Sequence, residues 1–380
     1  MTLDVQQNLP LKPYTTFKIG GPARYFCAVT AGGEIREAVA LARSESLPLF
    51  VLGGGSNILV SDAGFHGIVL HPARNGIEVL EQTVSQQGRP GVRLRISAGE
   101  PWDSLVAYTV DHGWWGIENL SHIPGQSGAA LVQNIGAYGQ QLSDVFEEAE
   151  VLSLADCELD TLSAAECGLA YRRSIFNSTR RGEFLIWSIT LTLGLKPQVH
   201  IGYRDVQAYF ADRGNDQPSQ SEIREAVIQI RDRKFPYPRQ ERGGNAGSFF
   251  KNPTLDSKGW PSLAARVRAR FGDAAHDRLL ASIARSRPEA GGQSGSDSVR
   301  IPAALLIDLC GLKGFEAGRA QVNPSQPLVI LNQGGATAGD VLRVAGHVRQ
   351  TIYRETGVVF ELEPELIGFS PQEIDLYLGL

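Results

Sequence analysis

The residues of this chain that could do chemistry lie in a few dense stretches. The longest is Pro124-Gly125-Gln126-Ser127-Gly128-Ala129-Ala130-Leu131-Val132-Gln133-Asn134-Ile135-Gly136-Ala137-Tyr138-Gly139, which holds four glycines and no charge. Such a segment makes poor helix and poor surface. It lets main-chain N–H groups approach an anionic or flat ligand with no Cβ in the way. One loop of this kind reads as a tight structural turn. A second, Gly53-Gly54-Gly55-Ser56-Asn57, follows the apolar run Leu49-Phe50-Val51-Leu52 and favours a shared cofactor contact. Neither loop is G-x-G-x-x-G or a P-loop, which disfavours a Rossmann or Walker site. Two separated loops sharing a diphosphate cofactor fit better.

A third stretch is Gly243-Gly244-Asn245-Ala246-Gly247-Ser248-Phe249-Phe250-Lys251-Asn252-Pro253. Ser248 sits between small residues and two aromatics, so its hydroxyl could face a dry pocket. It also opens an S-x-x-K match to the acylating enzymes, whose S-D-N and K-T-G companions are absent. A serine that satisfies a loop backbone is the plainer alternative. Glu363 and Glu365 flank Pro364; such a pair can do acid–base work or can simply be solvated. In Tyr171-Arg172-Arg173-Ser174-Ile175-Phe176, two arginines beside an apolar pair are unlike a plain solvated face. The seven histidines are scattered and none forms H-x-x-x-H, so no metal site is expected. Gly125-Gln126-Ser127-Gly128 is not the G-x-S-x-G elbow of a hydrolase.

The elements that must hold these stretches follow from periodicity. Ile35, Ala38, Val39 and Ala42 share one face of a helix over Gly33 to Ser46, followed by a strand from Pro48 into the first glycine loop. Gly67 to Leu70 is a second short strand, and a small α/β unit results. From Arg93 to Ala98 apolar and polar residues alternate, as in a half-buried strand. Pro101-Trp102 opens a helix stopped at Gly113; Glu150 to Leu154 and Phe184 to Leu193 are strands. Ser221 caps a helix through Asp232, with Arg231, Arg233 and Lys234 at its end, where cations suit the helix dipole. Phe235-Pro236-Tyr237-Pro238 marks a boundary, and Arg285 to Ser298 reads as a flexible loop. A short helix runs from Pro302 to near Gly311. Thr337 caps the last long helix, which ends at Gly357, and Val358 to Leu362 reads as a strand.

Composition sets outer bounds. A chain of 380 residues should split into about two or three domains. Its net charge of −5 shows no basic block, which argues against nucleic-acid binding. No apolar run approaches a membrane span, the first residues lack a signal peptide's pattern, and a cytoplasmic location is expected. Four cysteines without C-x-x-C spacing read as core thiols rather than disulfides.

Taken in order, GGGSN, PGxxGAAxxQNIGAYG, YRxSIF, GNAGSFFKNP and the closing LExE make the chain resemble the UDP-N-acetylenolpyruvoylglucosamine reductase (MurB) family. The resemblance runs from Leu11-Lys12-Pro13 to Leu362-Glu363-Pro364-Glu365. Leu131 stands where the family normally has proline. The resemblance implies an α+β fold: an FAD-binding domain of the vanillyl-alcohol-oxidase type and a C-terminal α/β substrate domain. It divides the chain at 1–72 (with 366–380 returning to it), 73–230 and 231–365. It further implies a non-covalent FAD on Gly53, Gly54, Gly55, Ser56, Asn57, Pro124, Gly125, Gly128, Asn134, Gly136 and Ala137. NADPH would reduce the FAD, and hydride would pass to the enolpyruvyl double bond of a UDP-sugar. Arg172, Ser248 and Glu365 would be catalytic: carboxylate partner, proton donor and orienting group. Tyr138, Tyr203 (a lid tyrosine), Arg231, Lys234 and Asn252 would meet the UDP-sugar or share the NADPH site. A monomer with small-molecule partners only is expected. The alternatives are another FAD oxidase or dehydrogenase acting on a sugar or lactone, and a serine acyltransferase.

Overall fold

The computed structural model describes residues 3–84, 90–234, 243–286 and 298–379. The expected boundary at Phe235-Pro236-Tyr237-Pro238 and the glycine–serine stretch 287–297 lie outside them. Contacts divide the chain into two units: Met1–Pro10, Pro22–Gly55 and Phe65–Tyr237 form the first, and Leu11–Gly21, Ser56–Gly64 and Pro238–Leu380 the second. The sequence suggested three parts cut at 72 and 230. Backbone pairing instead carries two short N-terminal segments into the second unit. There Glu365–Ile367 lies parallel to Ile58–Val60, and the Gly21 N–H donates to Ser61 O at 2.9 Å.

The first unit holds two sheets. One runs Gln6–Pro10, Pro22–Val29, Phe65–Pro72, Leu49–Val51 in spatial order, with its last two pairings parallel. The helix Gly32–Ser44 buries the expected Ile35, Ala38, Val39 and Ala42. The other sheet is antiparallel, in the order Leu159–Ser163, Phe146–Ser153, Phe184–Gly194, Pro90–Ser97, Ile77–Val84. Period-2 alternation decides its faces. Val92, Leu94 and Ile96 are at most 2% exposed. Arg93 and Arg95, on the other side, pair with Glu81, Glu147 and Glu78. Trp102–Asp111 buries Leu105, Val106 and Val110, ahead of Gly113 at φ +69°.

The second unit packs the helices Gly259–Phe271, Asp273–Ser286, Ala303–Leu309, Ala338–Thr356 and Pro371–Leu378 with a three-stranded sheet, Glu316–Ala317, Ala320–Val322, Ile330–Asn332. Phe249, Phe250 and Phe360 stand in its core, together with Phe17 and Leu59 from the two inserted segments.

Two expectations are corrected. The stretch read as poor helix contains the helix Ser127–Val132. Its small residues favour this by allowing close packing: Gly128 N–H donates to Ala98 O at 2.9 Å, and a Cβ on Gly128 would lie 2.6 Å from Ala98 Cβ. Tertiary contact overrides propensity here. Val358 to Leu362 is not a strand; only Leu362 bridges, to Phe250, and the strand begins at Glu365. The helices Arg204–Ala211, Gly259–Phe271 and Asp273–Ser286 were not identified from periodicity.

Thr337 Oγ1 accepts the Asp340 N–H at 3.0 Å at the head of Ala338–Thr356. Thr337→Ala should therefore cost about 1 kcal/mol. Gly368 sits at φ +77°, and an added Cβ would lie 1.9 Å from Gly64 O. Gly368→Ala should lower the thermal midpoint further than Thr337→Ala does, as calorimetry of the two variants would read.

Candidate active site

In the first unit the two glycine stretches lie main chain against main chain. A Cβ on Gly54 would fall 2.4 Å from Gly125 Cα, and one on Gly53 2.7 Å from Ala129 Cβ. Gly55 and Gly125 have φ of +59° and +126°. The His71 ring, partly buried and held below the usual imidazole range by that burial, hydrogen-bonds Leu52 O at 2.7 Å, just before the first loop. Gln126 Nε2 donates to Pro72 O at 3.1 Å. Gln126 Oε1 is buried and accepts no hydrogen bond. It lies 3.6 Å from where a Gly53 Cβ would be. A buried unpaired acceptor beside this close glycine contact suits a ligand that brings a donor. Sequence reasoning passed over Gln126, although it is the first hydrogen-bonding side chain of the long stretch.

The later part of that stretch is held by strained backbone. Asn134, Tyr138 and Arg172 have φ of +44°, +49° and +53°, uncommon for residues with a Cβ. The Asn134 amide is engaged by the fold: Nδ2 donates to Ala170 O at 3.1 Å, and Oδ1 accepts the Ser143 N–H at 2.9 Å. Its side chain therefore shapes the loop. Arg172 Nη2 donates to Gly136 O at 2.8 Å, and its guanidinium lies 5.4 Å from the Tyr171 ring. Gly136 pairs with Gln141 and Ala137 with Gln140 in a two-residue ladder. The turn after Arg172 is fixed by Ser174, whose hydroxyl donates to Val132 O at 2.5 Å and accepts the Phe176 N–H at 3.1 Å.

Four of the expected substrate residues meet around one ring. The Tyr138 and Tyr203 rings are edge to face at 5.3 Å, and Lys234 Nζ lies 5.3 Å from the Tyr138 centroid. Burial pushes the Tyr138 phenol up, while the charge and hydrogen bond of Arg231 pull the other way. Arg231 Nε donates to His122 O at 2.8 Å. Tyr203 stands at the start of the helix Arg204–Ala211. Its neighbour Asp205, which no sequence signal flagged, accepts Lys234 Nζ at 2.6 Å. Burial would raise the Asp205 carboxyl, but Lys234 and Arg204 hold it below the usual range. Asn252 belongs to the second unit, where its Oδ1 accepts the Ala303 N–H at 2.9 Å.

The helix Gln220–Lys234, which carries Arg231 and Lys234, is tied to Trp102–Asp111 by a bidentate pair. Arg224 Nη1 and Nη2 meet Asp103 Oδ1 and Oδ2 at 2.7 and 3.0 Å.

In the second unit, Ser248 is half-buried and bridges Val329, and the next residues are locked. The Phe249 N–H donates to Leu328 O at 2.7 Å, the Glu363 N–H to Phe249 O at 3.0 Å, and the Lys251 N–H to Glu361 O at 2.9 Å. Asn57 Nδ2 donates to Glu363 O at 3.1 Å, and Asn57 O accepts the Glu365 N–H at 3.0 Å. Asn57, the Ser248 loop and Glu365 thus hang on one run of main-chain bonds. Gly247, at φ +70°, makes the turn before the serine, with its N–H on Asn245 Oδ1 at 2.9 Å.

Residues 238–367 match the model of the UDP-N-acetylenolpyruvoylglucosamine reductase C-terminal domain, and residues 23–163 match that of an FAD binding domain. Over 366 residues the chain is 37% identical to the UDP-N-acetylenolpyruvoylglucosamine reductase of Pseudomonas fluorescens, covering 96% of this chain and all of that one. The same comparison with the Pseudomonas aeruginosa reductase gives 36%, again over 96% and 100%. The chain belongs to the UDP-N-acetylenolpyruvoylglucosamine reductase family. The crystal structure of the reductase from Thermus caldophilus superimposes with a TM-score of 0.61 at 25% identity, over 96% of this chain and 99% of that one.

This family member is therefore an FAD-containing oxidoreductase of α+β fold. The paired glycine loops and the unpaired Gln126 acceptor fit a cofactor of that kind. The S-x-x-K match at Ser248 falls inside the segment shared with the reductases. Among the described residues no cluster of three His, Cys, Asp or Glu could hold a metal, and no helix is long and apolar enough to cross a membrane. The cysteines are free thiols; burial pushes Cys27 and Cys310 to about 11 and Cys167 to about 12.

Gly54→Ala should purify with much less FAD than the parent, read as the flavin-to-protein absorbance ratio, because the two loops must part. A pH effect follows from Asp103. Burial opposes its ionisation, but the Arg224 hydrogen bonds and the His122 N–H hold its carboxyl below the ordinary value. Its stabilisation is present above the unfolded pKa of about 3.9 and is lost as pH falls through the lower folded value. Thermal midpoints measured across that acid range should drop for the parent, and Arg224→Gln should flatten the drop while melting lower at neutral pH.

Proposed function

We propose that this protein reduces the enolpyruvyl double bond of UDP-N-acetylglucosamine enolpyruvate to UDP-N-acetylmuramate, a step of peptidoglycan synthesis, with NADPH as the electron source. The observation that carries this reading is the likeness to the curated reductases along 96% of the chain. Gly53, Gly54, Gly55, Ser56, Asn57, Pro124, Gly125, Gly128, Gly136 and Ala137 would hold the cofactor non-covalently, with Asn134 shaping the loop. Bound FAD would accept hydride equivalents from NADPH and deliver them to the substrate.

Addition of hydride to the β-carbon of a carboxylated enol ether leaves negative charge on the α-carbon and its carboxylate. Fixed positive charge aimed at that density lowers the barrier, and such preorganised electrostatics is usually the largest catalytic contribution. Arg172 is assigned to the carboxylate, because its Nη2 contact with Gly136 O fixes the guanidinium rather than leaving it to swing. Ser248 supplies the proton to the α-carbon. A hydroxyl is a weak acid, so the transfer depends on the developing enolate, and Glu365 is assigned to orient this site. Tyr138, Tyr203, Arg231 and Lys234 would receive the diphosphate, a dianion that suits a cationic cluster backed by aromatic rings. Asn252 would add a polar contact. Tyr203, 47% exposed at a helix start, would act as a lid.

Ser248→Ala separates the half-reactions in a stopped-flow instrument. Bleaching of the flavin by NADPH should stay near the parent rate. Reoxidation by the enolpyruvyl substrate should slow by about a hundredfold or more, the scale of a lost general acid. Equal slowing of both halves would remove Ser248 from the proton step.

A further inference from the structure

A polar network lies beneath the Tyr138 cluster, fully buried and without a cation. Asn119 and Glu118 are 0% exposed and Gln140 is 5% exposed. Asn119 Nδ2 donates to two carbonyls at once, Tyr138 O at 2.7 Å and His200 O at 2.7 Å. Its backbone N–H donates to Gln140 Oε1 at 2.9 Å. Gln140 Nε2 in turn donates to Glu118 Oε1 at 2.6 Å, and the Gly116 N–H to Glu118 Oε2 at 2.8 Å. The two donations to carbonyls fix which end of the Asn119 amide is nitrogen.

The two carbonyls belong to different parts of the proposed diphosphate site. Tyr138 is held at φ +49°, and its ring gathers Tyr203, Lys234 and Arg231. His200 lies three residues before Tyr203 on the segment that leads into the helix Arg204–Ala211. One side-chain NH2 therefore spans the strained tyrosine and the strand of chain that delivers the other. Gln140 and Glu118 fix the Asn119 backbone from which that side chain reaches, since the chain of bonds runs in one direction from the Asn119 N–H to the carboxyl.

We propose that Asn119 is a positioning residue for substrate: it sets the spacing between Tyr138 and the Tyr203 segment, and so the geometry in which a UDP-sugar diphosphate is received. This inference rests on the functional reading above. It assigns Asn119 no contact with substrate. Its effect passes through the two tyrosines, with Gln140 and Glu118 as its support.

The test uses flavin-loaded Asn119→Ala, titrated with UDP-N-acetylglucosamine enolpyruvate by calorimetry. Affinity should fall about tenfold as the two tyrosines lose their spacing, the thermal midpoint should fall because two buried carbonyls lose their donor, and flavin content should stay near the parent. A double-mutant cycle with Tyr203→Ala supplies the readout that a merely structural role would not move. In that background Asn119→Ala should add little further loss, because the partner it positions is gone. Unchanged affinity in the single variant, or independent losses that add in full, would overturn the inference. Asn119→Ser keeps one donor and replaces the alanine variant if that loses its flavin. Loss of flavin from both makes Asn119 a folding residue and overturns the inference equally. A parent protein that takes up flavin yet binds no UDP-sugar would instead sink the functional reading, and this inference with it.

Discussion

The candidate cofactor site depends on the contact of main chain with main chain at Gly54 and Gly125. At 2.4 Å from a hypothetical Cβ to the opposing Cα, no other residue type fits without parting the loops. Gln126 follows Gly125 directly, and its carbonyl accepts the Ala130 N–H at 3.0 Å in the first turn of the helix Ser127–Val132. Ser127 and Gly128 use their N–H groups within the fold, on Glu100 O and Ala98 O. That helix start is thus a structural joint, and the unpaired Gln126 oxygen beside Gly53 is the group that suits a cofactor.

Downstream of the joint, conformational strain replaces glycine as the organising device. Asn134, Tyr138 and Arg172 all take left-handed backbone, each held by hydrogen bonds that over-determine it. Asn134 is clamped by Ser143 and Ala170, Tyr138 through Asn119, and Arg172 through Gly136 and Asn177. A residue held this way presents its side chain in one direction without paying ordering entropy at each turnover. In the second unit glycine is the device again: Gly247 at φ +70° turns the chain before Ser248, and the following phenylalanines are pinned in the core.

Much of the candidate site could be read from residues in order. Thr337 and Gly357 bracket the last long helix as their chemistry dictates, because a side-chain cap and a left-handed glycine are local events. The strand Pro90–Ser97 follows from alternation, since one face is apolar core and the other carries arginines paired with glutamates. The helix Ser127–Val132 escaped notice because its stability comes from Gly128 seated on Ala98, a contact thirty residues back in sequence. Val358 to Leu362 looked like a strand because it is apolar and β-branched, yet its burial is met by core packing around Phe360 with a single bridge to Phe250. Asp205 and Asn119 carry no motif at all; their partners Lys234, Tyr138 and His200 are far away along the chain.

The order of residues by itself determined which groups are available: the glycines, the arginine turn, the serine before two aromatics, the closing glutamates, and the family they spell. These depend on local chemistry and on spacing, which a linear chain records in full. Tertiary structure alone decided how they are held: the return of Glu365–Ile367 to lie beside Ile58–Val60, the gathering of Arg231 and Lys234 around Tyr138, and the bridging of two carbonyls by Asn119. Hydrogen bonds and packing between residues distant in the sequence leave no periodic trace in it, because each requires only that the two partners meet when the chain has folded.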